Sequence, residues 1–267
     1  MWVRSYGRSW PEPGQTTTDA MRFNRHYYIS ALPTLGELGS TPPTDAVQLL
    51  EHLAPLPPAR DLVEALFLFD DVLQREAFLA GELKAVEPTV LTAAQARNEA
   101  PLPPYLAEPA ESGTLVSRMD NLLEAAFRHA DQVARSCGSE FLQQWVAFEV
   151  ALRNALASAR AKRLGLDEGE YLVAADLGAP QADFTAMISE WSAASTPLAG
   201  LQALIRARWA WLNEHDAWFS FRDDELAAYA ARLMLLRQWK RVADAEEGGS
   251  AGTPTDESSL SLERATR

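Results

Sequence analysis

Few residues in this chain of 267 have the type and spacing that chemistry needs. Asp70 and Asp71 adjoin within LFLFDDVLQREAFL, and paired carboxylates do acid–base work where groups from other segments converge on them. The sequence specifies no such partners, so solvated helix surface is the expectation for both. Glu149 stands four residues before Arg153, the orientation that favours an ion pair within a helix, and Arg160 continues the same polar border. Arg153 and Asn154 read as internal braces that satisfy hydrogen bonds in a crowded interior, with a ligand or partner contact as the sharper alternative. An enzyme built on Asp70, Asp71, Glu149 and Arg153 requires the fold to gather them into one cleft between bundles.

The remaining reactive groups are scattered. His26, His52, His129 and His215 are far apart, and none stands in Glu-x-x-His or His-Glu-x-x-His, so no metal site is expected. The single cysteine, Cys137, excludes an internal disulfide and a cysteine metal cage, which suits a reducing, cytoplasmic setting; beside Gly138 it reads as an inert thiol. Phosphate-binding loop, dinucleotide fingerprint and Gly-x-Ser-x-Gly elbow are all missing, so neither catalysis nor a cofactor is expected.

With 24 basic and 37 acidic residues the net charge is −13. That charge argues against nucleic acid and against direct adsorption to anionic lipid, and leaves proteins as the partners. No apolar run reaches the roughly 20 residues that span a bilayer, and the N-terminus has no signal-peptide core; direct membrane insertion is not expected.

Helical periodicity must position these residues. The longest uninterrupted helical pattern is Phe141 to Gly165. Phe141, Trp145, Phe148, Leu152, Ala155 and Ala159 fall on one stripe at about 100° per residue, and small residues such as Ala147, Ala151 and Ala157 line the other side. Such a helix is covered on two sides and reads as the centre of the fold, with Ser139 as N-cap and Gly165 just past its end. Asp45 with Gln48 has the form of a capping box for a short helix. A second amphipathic helix runs from Ala59 to Ala80, with further helices at Thr92–Glu99, Leu115–Ser136, Glu168–Ala175, Ala182–Ala194, Leu198–Asn213 and Asp223–Asp244. Tyr27 to Pro33 reads as an extended segment tucked into the fold. Trp209, Trp211, Trp218 and Phe219 read mainly as core, with one or two left to face a partner.

The expected architecture is therefore all-α, a multi-helix bundle around a long central helix. It divides into a disordered extension (1–20), an N-terminal helical lobe (21–100), a proline-rich linker (101–114), a C-terminal lobe (115–244) and a disordered tail (245–267), and Met21 opens what looks like a proper domain start.

Four segments together, YYISALPTL, LFLFDDVLQREAFL, FLQQWVAFEVALRNALASARAKRLG and FRDDELAAYAARLMLLRQWKRVADAEEG, resemble a bacterial family encoded among the subunits of V/A-type rotary ATPases. The likeness is carried by Tyr28 with Leu32 and Pro33, by Phe148-Glu149 and Leu152-Arg153-Asn154, and by Tyr229, Arg237 and Trp239. It implies a divergent, all-helical counterpart of the funnel at the foot of the central stalk, a non-catalytic part that couples the central shaft to the membrane proteolipid ring. The implied partners are the central-stalk subunits and the proteolipid ring. The implied location is cytoplasmic, peripheral on the inner face of the cell membrane through those proteins. A helical adaptor or assembly factor that binds other proteins is the alternative. The N-terminal extension and acidic tail lie outside the resemblance.

Overall fold

Helices and short 3₁₀ turns make up all the regular structure in the described residues of the computed structural model, 25–107, 115–179 and 182–250. The chain is all-α there. After a helical segment α1 over 25–30 come α2 (Ala46–His52), α3 (Pro57–Leu79), α4 (Ala93–Ala96), α5 (Leu115–Cys137), α6 (Glu140–Leu164), α7 (Thr185–Ala193), α8 (Pro197–Glu214) and α9 (Asp223–Ser250).

Local chemistry sets the ends. The Asp45 carboxylate accepts the Gln48 N–H at 2.7 Å, and Thr92 with Gln95 forms a reciprocal capping box at α4. Ser139 Oγ accepts the Leu142 N–H at 3.1 Å and donates to Asp224 at 2.5 Å, so one hydroxyl caps α6 and joins it to the start of α9. Gly165 ends α6 with φ +68°, a left-handed conformation that a side chain resists.

One contiguous core runs from Ala46 to Val242 and draws on residues of both expected lobes. α3 packs on α5 and α9, α6 on α5 and α9, and α8 on α7 and α9. The most completely enclosed helices are α3 and α9 rather than α6: every residue of α9 from Asp224 to Leu236 is buried. Burial on all sides is the mark of a core helix. α6 is buried mainly over its first half, where Trp145, Phe148 and Trp211 of α8 pack as aromatic pairs. No helix among the described residues is long and apolar enough to cross a membrane.

Three local expectations are corrected. The Tyr27–Pro33 segment begins as helix rather than strand-like chain, with the Ala31 N–H bonded to the Tyr27 carbonyl at 3.0 Å before Pro33 stops it. The expected helix at Glu168–Ala175 is instead two 3₁₀ turns, Glu168–Tyr171 and Ala175–Leu177, separated by chain that bonds to α6. The expected disordered tail from 245 begins as helix, since α9 runs on to Ser250, and Glu246 accepts a hydrogen bond from Gln202 of α8 at 2.9 Å. The extension at 1–20, the proposed start at Met21, residues 108–114 of the linker and residues 251–267 of the tail lie outside the described residues.

Candidate functional site

Both carboxylates of the Asp70-Asp71 pair are buried, not solvated as their polarity suggested. Helical geometry turns them toward different neighbours. Asp71 faces the chain entering α4 and accepts three consecutive backbone N–H groups, from Thr89 (2.8 and 3.0 Å), Val90 (2.6 Å) and Leu91 (2.8 Å). Burial raises its carboxyl to about 6, against the opposing pull of those amides. Asp70 faces α9, where Gln238 donates at 2.9 Å and Arg241 forms an ion pair; Gln74, one turn along α3, donates to it at 3.0 Å. Gln74 also accepts the Glu87 N–H at 3.0 Å. Two adjacent acids thus hold a loop and a helix, and their oxygens are occupied by protein donors.

On α6, the i,i+4 ion pair expected between Glu149 and Arg153 is not made, because each finds a tertiary partner. Glu149 takes both nitrogens of Arg208 on α8, at 2.6 and 2.9 Å, a bidentate pair that lies largely out of solvent. Burial alone would lower the Arg208 guanidinium, but Glu149, with Asp70 adding its charge, holds it above the usual range. Arg153 reaches the other way, to Asp120 of α5 and the Tyr171 carbonyl. Asn154 reads the backbone of Val173 on both sides, donating to its carbonyl at 2.9 Å and accepting its N–H at 3.0 Å. These bonds hold residues 171–173 extended and explain why a helix does not form through that stretch. Arg160 is exposed and lies 5.0 Å from the Trp191 ring centre.

The remaining singled-out residues lie along α9 and the N-terminal segment. The Tyr229 hydroxyl donates to the Pro33 carbonyl at 2.9 Å, and burial pushes its phenol up to about 12, so it stays a donor. The Tyr28 carbonyl meets His52 Nε2 at 3.0 Å, and its ring stands edge-on to that imidazole. Arg237 donates to Thr89 Oγ1 at 3.2 Å. Trp239 packs beside Gly39, where φ is +96° and a Cβ would sit 3.4 Å from the indole nitrogen.

The residues singled out from sequence therefore divide among three places: the α3–α9 seam, the polar border of α6, and the contact of α9 with the N-terminal segment. Asp70, Asp71, Glu149 and Arg153 do not share a cleft with free functional groups. No group of three metal-ligating side chains occurs among the described residues. Burial pushes the Cys137 thiol up, with the charges of Asp61 and Asp223 adding to it, which keeps it protonated. Asp120, Arg208, Gln238 and Arg241 complete these networks and were not singled out from sequence; each is one polar residue on an amphipathic helix, indistinguishable there from solvated surface.

Comparison with known proteins is sparse. A family profile described as a protein of unknown function (DUF2764) matches residues 100–181, a span that contains Asp120, Glu149, Arg153, Asn154 and Val173. No curated protein and no solved structure matches the chain.

Proposed function

We propose that the chain is a non-catalytic structural component of a V/A-type rotary ATPase, a counterpart of the stalk funnel that couples the central shaft to the proteolipid ring. The observation that supports it is the use made of the residues that carry the resemblance. Tyr229 ties to Pro33, Asp70 of α3 to Gln238 and Arg241 of α9, and Asn154 of α6 to Val173. They brace one segment against another, and saturated internal braces suit a part that transmits torque better than one that binds and turns over a substrate. In this role the protein works in the cytoplasm, held at the membrane by its partners.

The test is purification of the tagged chain from gently solubilised membranes, with quantitative mass spectrometry of the proteins that accompany it. The coupling role predicts about one copy per ATPase together with central-stalk and proteolipid subunits. Substoichiometric recovery would instead mark an assembly factor or adaptor, and complete absence of ATPase subunits would remove the proposal.

A further inference from the structure

The corner between α8 and α9 departs from ordinary surface chemistry in three independent ways. Trp218 is 44%, Phe219 82% and Phe221 41% exposed, and Tyr27 of α1, 67% exposed, lies in the segment that packs against this corner through His26 and Phe221. Isolated apolar residues on a surface need no explanation, but a contiguous aromatic group does. Backbone conformation is the second departure. The Ser220 N–H closes a turn on the Ala217 carbonyl at 3.1 Å, and within and just after that turn Phe219 and Phe221 hold φ at +61° and +53°. Bulky L-residues rarely adopt that region, where glycine or asparagine is favoured. Phe219 therefore carries a conformational cost in order to point an apolar ring at water.

The third departure is a pocket of about 110 Å³ beside the corner, lined by Ile29, Leu32, Pro33, Trp218, Leu226 and Tyr229, with Glu225 as its charged wall. Glu225 is only 6% exposed. One of its oxygens accepts the Phe221 N–H at 2.9 Å; the other meets no donor among the described residues. The neighbouring cations are already committed, Arg25 to Asp223, Arg222 to Asp224 and Arg232 to Asp216. A carboxylate in an apolar pocket without a cation is costly unless something supplies one.

We infer that this corner is a protein-docking surface that receives a lysine or arginine side chain, flanked by apolar residues, from a partner protein. The aliphatic stem lies along Leu32, Leu226 and Tyr229, the cationic head meets Glu225, and Phe219 with Trp218 covers the flanking apolar residues. The net charge of −13 favours approach of a basic surface. The identity of that partner rests on the coupling proposal, so the experiment separates the two. Full-length wild type, Phe219→Ser and Glu225→Gln are each purified from solubilised membranes, and a photo-crosslinking amino acid is placed at position 219.

The expected result is recovery of stalk and ring subunits with wild type and a loss of about tenfold or more with each variant, as truncating a central anchor produces. Thermal unfolding should be unchanged, and the crosslink should fall on a Lys- or Arg-containing segment of one of those subunits. Undiminished recovery by both variants overturns this inference alone. So does a crosslink within the same chain or to a second copy. Wild type that recovers no ATPase subunits overturns the coupling proposal and this inference with it.

Discussion

Replacing Asp71 by asparagine should make the chain's stability respond differently to pH, in a direction opposite to the usual one for a buried acid held by hydrogen bonds. The Asp71 carboxyl is buried, with its ordinary value of 3.8 raised to about 6. Between those values the folded chain keeps a proton that the unfolded chain has lost, so the stability this group contributes is fully present below about pH 4 and falls away as pH rises through about 6. The difference of about two pKa units corresponds to about 3 kcal/mol. Asparagine keeps the size and one acceptor oxygen but cannot ionise. The measurement is urea denaturation followed by far-ultraviolet circular dichroism, on wild type and Asp71→Asn, at intervals from pH 3.5 to 7.5. Carboxylates unaffected by the change cancel in the difference between the two proteins. Asp71→Asn should gain about 3 kcal/mol relative to wild type across that range, nearly all of it between pH 4 and 6.5. A difference that stays flat would show that Asp71 titrates at its ordinary value. One that grows in wild type's favour as pH rises would show that the amides of Thr89, Val90 and Leu91 outweigh burial, and the electrostatic argument would be wrong.

Two further outcomes follow from the α6 braces. Asn154→Ala removes both bonds to Val173, a buried residue, and leaving that N–H and carbonyl unpaired should cost about 2–4 kcal/mol. Hydrogen exchange at the Val173 amide should accelerate more than at the α6 amides, and equal protection in the variant would refute the brace. Glu149→Gln strands Arg208 in a largely buried site and should cost about 3–5 kcal/mol, whereas the double change Glu149→Leu, Arg208→Met should restore much of that loss. Equal urea midpoints for the single and double variants would contradict it.

Helix existence was legible in the sequence because it depends on neighbours along the chain. The stripe from Phe141 to Leu152, the Ser139 cap and the Gly165 stop are local patterns, and each has the predicted consequence. The all-α class follows from such patterns repeated. What a polar side chain bonds to is a different kind of fact. Asp70 and Asp71 looked like solvated surface because their partners lie far along the chain, at Thr89–Leu91 and at Gln238 and Arg241. Glu149 and Arg153 were in register for each other, but packing offered each a nearer partner in a less polar setting, Arg208 and Asp120. The same competition ended the expected helix after Glu168, where Arg153 and Asn154 take up backbone groups that helical hydrogen bonding would have used. Periodicity therefore determined which segments are helical and which of their faces are apolar. Only the tertiary structure decided where the charges went, because burying a polar group is costly until a partner is found and that partner is brought near only by the folded chain.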